Sequence, residues 1–180
     1  VSPQFDSYLA VSNSGTQIGH GGVGATVRAA DNTVLGYSGD LDVTAGGKID
    51  LLAGRNAATF NWSLIGHTSF NSSNSQGVHS GDIVAKAGTV AGLDSYGVTV
   101  QAASGDYNGV ANTNTSYYSF AAIGHRGHSA GTTLSGDILV DVVRGGVTVQ
   151  GGNGQPGTTS DNANTPADLR LHGASIGHGG

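Results

Sequence analysis

Ile65-Gly66-His67 is one of four copies of a single three-residue phrase. The others are Ile18-Gly19-His20, Ile123-Gly124-His125 and Ile176-Gly177-His178, and the first and last continue into Gly-Gly. Successive copies stand 47, 58 and 53 residues apart. A second phrase, Ser-Gly-Asp, falls inside each interval, at Ser38, Ser80 and Ser135, and places Asp40, Asp82 and Asp137 at equivalent positions. A third follows it: Gly47-Lys48-Ile49-Asp50-Leu51, Gly97-Val98-Thr99-Val100-Gln101 and Gly146-Val147-Thr148-Val149-Gln150. Three phrases recurring in one order predict stacked repeats, because a unit of this size buries its apolar face only against a neighbour. The repeats run about 18–64, 65–122 and 123–175, with partial repeats at both ends.

Outward from these phrases the sequence alternates. Leu41, Val43 and Ala45 match Ile83, Ala85 and Ala87, then Ile138, Val140 and Val142, and each trio falls on one face of a strand. Ile49 and Leu51, Val98 and Val100, and Val147 and Val149 repeat the pattern in a second strand. A third strand leads into Ile-Gly-His, through 59–64, 117–122 and 170–175. Three short strands per repeat, separated by glycine, predict an all-β right-handed parallel β-helix, a β-solenoid with loop insertions at its corners. Its partners are first the flanking repeats of the same chain, since the ends of so short a stack expose unpaired backbone. The loops at 71–76 and 151–166 read as corner insertions. Residues 23 to 37 read either as a loop or, through Val23, Val27 and Val34, as strands of an additional coil.

Composition narrows the function classes. The 180 residues include 32 glycines and no cysteine or methionine, so neither a disulfide framework nor thiol chemistry is available. A net charge of −5 with only 7 Lys and Arg offers little to a phosphate backbone and argues against nucleic acid. No apolar run is long enough to insert directly into a membrane. Val1-Ser2-Pro3-Gln4-Phe5 lacks the basic start and apolar core of a signal peptide, and residues 1–17 read as the tail of a preceding repeat. The chain is therefore expected to be a piece of something longer.

Few residues invite chemistry. In stacked repeats His20, His67, His125 and His178 would lie one above another, but zinc needs ligands converging at about 2.0 Å, not a row at about 4.8 Å. The simpler expectation is a neutral histidine that bonds backbone groups and fixes a turn; no metal and no cofactor is expected. His79, His128 and His172 do not repeat in register. Asp40, Asp82 and Asp137 are expected to cap their own turns. With no glutamate in the chain and no catalytic signature, no catalytic residue is assigned and the protein is not read as an enzyme. The candidate ligand-binding residues are aromatic: Phe60, Trp62, Tyr117, Tyr118 and Phe120. Strict alternation counted back from Ile65 and Ile123 puts Trp62 and Phe120 outside, as a short ladder suited to stacking on sugar rings. A bulge before the isoleucines would instead turn Phe60, Trp62, Tyr118 and Phe120 into the core. Leu171, which aligns with Phe60 and Tyr118, favours the bulge.

The combination of Ser-Gly-Asp-Ile-x-Val, Gly-Gly-x-Val-x-Leu/Val and Ile-Gly-His-Gly-Gly resembles the repeat regions of filamentous-haemagglutinin-like adhesins over most of residues 18 to 180. These are large Gram-negative exoproteins exported by two-partner secretion or as related autotransporters. The resemblance implies a β-helical stalk segment of a surface adhesin or biofilm-matrix filament, located outside the cell. Its expected partners are polysaccharide or a receptor on a host or neighbouring cell. The alternative is a carbohydrate-binding or carbohydrate-active module on the same kind of helix.

Overall fold

The computed structural model describes residues 14–23, 27–31, 33–53, 60–70, 77–102, 106–107, 110–111, 118–127, 132–151 and 171–179. Among these residues every regular element is a strand. The alternating runs make three principal sheets, each collecting one strand from every repeat. Ser14–Ile18, Phe60–Ile65, Tyr118–Ile123 and Leu171–Ile176 lie side by side, parallel and in chain order. Leu41–Thr44, Ile83–Ala87 and Ile138–Val142 form a second parallel sheet. The third is built from Lys48–Leu52, Gly97–Gln101 and Val147–Gln150. Strands adjacent in space are thus one repeat apart in sequence.

Two shorter parallel ladders accompany these sheets. Gly21–Val23, Thr68–Phe70 and Arg126–Gly127 pair just after Ile-Gly-His, and Gly77–Ser80 pairs with Thr132–Ser135 just before Gly-Asp. A bridge from Ser38 to Ser80 carries the second ladder back to the first repeat.

Register follows the apolar pattern, since a slip of one residue would turn every inward side chain to the other face. Ile18, Ile65, Ile123 and Ile176 are successive partners, as are Leu41, Ile83 and Ile138, and Ile49, Val98 and Val147. Inward residues of all three principal sheets meet in one cluster that includes Leu51, Ile65, Ile83, Ala85, Val100 and Ile123. Burying an isoleucine or leucine contributes about 1.5–3 kcal/mol, so this shared interior is what joins one repeat to the next.

Three expectations change. The third phrase is offset by one residue in its first copy, because Lys48, not Gly47, pairs with Gly97. Val27 and Val34 do not supply strands of an additional coil: Val27–Arg28 and Val34–Leu35 pair antiparallel as a small hairpin, and Val23 belongs to the ladder after Ile-Gly-His. Only a strand with its counterpart one repeat away can join a parallel ladder, and these two find each other first. Nor is there a bulge before the isoleucines, since pairing runs without a break from Tyr118↔Phe60 to Ile123↔Ile65. Residues 71–76 and 152–166, read as insertions, lie outside the described residues apart from the exposed Gly151.

Candidate functional site

The histidine of each Ile-Gly-His sits one residue beyond a glycine in a backbone conformation closed to other residues. Gly19, Gly66, Gly124 and Gly177 have φ of 138°, 152°, 145° and 143°. A Cβ on Gly66 would stand 2.1 Å from the carbonyl oxygen of Gly124, and Gly19 and Gly124 meet the same obstacle one repeat on. Glycine is required twice over here, for its dihedral and for the closeness of the next strand.

Beyond these glycines the four imidazoles stack. His20 to His67, His67 to His125 and His125 to His178 are separated by 5.1, 4.8 and 4.9 Å between ring centroids, with planes 18°, 5° and 12° apart. The backbone N–H of each histidine donates to Nδ1 of the next, at 3.0 Å in all three steps. Nδ1 must then carry a lone pair, which leaves the proton on Nε2. Nε2 of His67, His125 and His178 meets the carbonyl oxygen of Gly39, Gly81 and Gly136 at 2.9, 2.9 and 3.0 Å. Those glycines are the middle residues of Ser-Gly-Asp. The two phrases recur together because the imidazole of one clamps the backbone of the other.

His67 and His125 are fully buried, and burial pushes both below the ordinary histidine value, further lowered by the neighbouring ring charges. The Nε2–H contact to carbonyl pulls the other way, more strongly than the ring charges but less than burial. Both ring nitrogens of His67, His125 and His178 are engaged, so none has a lone pair left to offer a metal.

The aspartates do not cap their own turns. Asp40 Oδ1 accepts the backbone N–H of Asp82, and Asp82 Oδ1 accepts that of Asp137, both at 2.9 Å. In a parallel stack the nearest unpaired N–H lies across the rung gap, and the short carboxylate arm reaches it. All three aspartates are exposed, and this arrangement spaces them along the stack instead of converging them on one substrate.

On the opposite face of the Ile-Gly-His sheet, Trp62 and Phe120 are direct register partners. They do not join the main core; with Leu64 and Ala122 they make a separate cluster on the outer face. The rung before Trp62 carries Gly15, whose absent side chain leaves room for the indole, and the rung after Phe120 carries Gly173. Phe120, Leu64 and Ala122 are buried, and Trp62 is half-buried. Of the other candidate aromatics, Phe60 and Tyr118 hold their strand positions with side chains not described, and Tyr117 lies outside the described residues.

Two residues were not singled out by their sequence pattern. Arg126 lays its guanidinium 5.2 Å from the centre of the Phe120 ring and donates from Nη2 to Ser175 Oγ. It occupies the position after Ile-Gly-His, where Gly21, Thr68 and Gly179 stand in the other repeats. His79 is buried, stacks on Tyr37 with centroids 5.3 Å apart, and accepts the Tyr37 N–H at Nδ1 over 3.2 Å. Its signal was the residue preceding Ser-Gly-Asp, which is Tyr37, His79 and Leu134 in turn; only a comparison by position, not by residue type, finds it. Among the described residues, three buried polar atoms, Trp62 Nε1, Arg126 Nε and Thr68 Oγ1, have no hydrogen-bond partner. Comparison with protein-family models, with curated proteins and with solved structures finds no match to this chain.

Proposed function

We propose that the chain is a stretch of right-handed parallel β-solenoid with three long strands per coil, serving as a stalk in an extracellular adhesin or biofilm-matrix filament of a Gram-negative bacterium. One observation carries the reading: identical side chains from distant repeats pair in register and bond each other, from Ile18 through Ile176 and from His20 through His178. The imidazoles of His67, His125 and His178 and the carboxylates of Asp40 and Asp82 are all spent on the neighbouring repeat, which suits a structural element better than a catalyst. Resemblance to filamentous-haemagglutinin-like repeats supports the extracellular setting and the adhesive role, with polysaccharide or a cell-surface receptor as ligand.

Removing residues 65–122 joins Leu64 to Ile123 in register and deletes one whole repeat. A solenoid stalk keeps its strand content and cooperative unfolding after this excision, whereas removing residues 65–93 abolishes both. Circular dichroism and urea denaturation distinguish the outcomes, and collapse of the whole-repeat deletion would count against the stacked reading. The adhesive part is tested separately, by binding of cells or glycan arrays to the immobilised chain.

A carbohydrate-binding module on the same framework has its own support. The outer-face pair Trp62 and Phe120 lies in a cluster beside Arg126, whose guanidinium stands over the Phe120 ring. Glycan-array binding that Trp62→Ala abolishes, with the fold intact, would favour that module over a passive stalk.

A further inference from the structure

Three buried imidazoles gather where the Ile-Gly-His column meets the Ser-Gly-Asp column. His67 and His125 belong to the first phrase and His79 precedes the second, so no one phrase brings them together. Stacking does: they are 0%, 0% and 1% exposed, and His67 and His125 both lie close enough to act on His79 by charge. Each accepts at Nδ1 a backbone N–H from the repeat before it. His67 accepts from His20 at 3.0 Å, His79 from Tyr37 at 3.2 Å and His125 from His67 at 3.0 Å. A proton on Nδ1 would set two N–H groups against each other at every one of these contacts.

The charges acting on these rings are those of other imidazoles: His20 on His67, His67 and His178 on His125, and His125 and His67 on His79. Burial, the larger cause, lowers all three, His79 to about 4, and bonds to the Gly39, Gly81 and Val78 backbones oppose it. The other ionisable groups here are engaged elsewhere. Arg126, next to His125, is turned to Phe120 and Ser175. Asp40 and Asp82 are exposed and accept the Asp82 and Asp137 N–H groups. Tyr37 stacks on His79 with its hydroxyl kept protonated by burial, and the strand paired with Gly77–Ser80 sets Leu134 beside His79. A first proton therefore enters the closed corner against burial, and a second against repulsion as well. Opening the corner returns each ring to its ordinary value near 6.5.

We propose that this corner is an acid-operated release: in mild acid His67, His79 and His125 take up protons together, the clamps on Gly39 and Gly81 let go, and the corner opens while the three principal sheets stay paired. Those sheets are joined by backbone bonds and by Ile65, Ile83, Val98 and Ile123, none of which titrates. Because the opened rings bind protons that the closed ones refuse, the opening constant rises as pH falls below about 6.5. The stack is then stiff at neutral pH and hinged along this edge in acid. The device goes beyond the stalk reading and needs only the clamps, so it stands or falls separately from the adhesive role.

Amide exchange of the whole chain, followed by NMR from about pH 7 to about pH 4.5 and corrected for intrinsic rates, reads the opening. The N–H groups of Tyr37, His67 and His125, which the imidazoles hold, should lose protection at the acid end and regain it on return to neutral pH. Those of Ile83–Ala87 should still exchange at least about 100-fold more slowly. The opening constant at the corner should rise by about two to three decades per pH unit, and by about one fewer in His79→Leu, which removes one of the protons. Corner amides that stay protected in acid, corner and sheet amides lost together as in ordinary acid unfolding, or a slope that His79→Leu leaves unchanged would each overturn the proposal. If His79→Leu does not fold, the ring nitrogens of the wild-type chain decide. His67, His79 and His125 should titrate with one shared, steep midpoint, and three separate shallow ones would refute a joint release.

Discussion

One buried and one partly buried backbone group depend on the single side chain of His125: the N–H of His67, which donates to Nδ1, and the carbonyl of Gly81, which meets Nε2. Replacing it by alanine leaves both without a partner, at about 1–3 kcal/mol each. His125→Ala should therefore lower the urea midpoint far more than His178→Ala, whose ring is only partly buried and clamps the last repeat alone. Protonation breaks the same bonds, because an Nδ1–H would point at an N–H. Burial first, then neighbouring ring charge, lowers His67 and His125, and the same causes push His79 down to about 4. Histidines in the unfolded chain titrate near 6.5, so between that value and about 4 the unfolded state binds more protons and stability falls as pH falls. His79 by itself accounts for about 3 kcal/mol lost across this window. Urea midpoints measured from pH 8 to pH 4 should show the decline, and His79→Leu, which installs the residue found at Leu134, should make it shallower. A flat wild-type profile would contradict the neutral ladder.

Strands and their connecting corners obey a different constraint. Gly66 and Gly177 share a positive φ, but only Gly66 faces a carbonyl at 2.1 Å from where a Cβ would lie. Gly177→Ala therefore incurs the dihedral cost alone, about 1–2 kcal/mol. Gly66→Ala adds a steric clash that the parallel ladder cannot relieve without separating two strands, and it should cost at least twice as much. Thermal or urea unfolding of the two variants measures the difference, and equal losses would show that strand spacing at this corner is not what demands glycine. Strand positions were legible because inward residues keep period two through all three sheets. The small hairpin at Val27–Arg28 and Val34–Leu35 was not, since two-residue strands carry no period. The outer face of the Ile-Gly-His sheet was only half legible. Strict alternation put Trp62 and Phe120 there, whereas the bulge that Leu171 favoured did not form, and nothing in the pattern showed that Phe120 would be buried against Leu64 and Ala122.

Across the molecule, burial is greatest in the middle and least at the last rung. Ile65, Ile83, Val98 and Ile123 are sealed, whereas Val147, Val149 and Ile176 are open. In a stack each repeat is held mainly by its neighbours, so inner rungs gain two interfaces and end rungs one. Hydrogen exchange should follow this order. Amides of Phe60–Ile65, Ile83–Ala87 and Tyr118–Ile123 should exchange slowest, and those of Ser14–Ile18 and Val147–Gln150 fastest. Uniform protection would indicate a single globular unit instead of additive rungs.

Repetition of Ile-Gly-His, Ser-Gly-Asp and the alternating apolar trios was enough to determine parallel pairing in register and the choice of inward residues, because a strand buried on one face tolerates no slip. It did not determine what the polar members of those phrases bond. The clamp from His67 to Gly39, the reach of Asp40 to the Asp82 N–H and the burial of His79 join residues 28 to 42 positions apart. Such bonds exist only once one repeat lies on another. Periodicity records which face a side chain takes; the partner it finds there is a property of the stack.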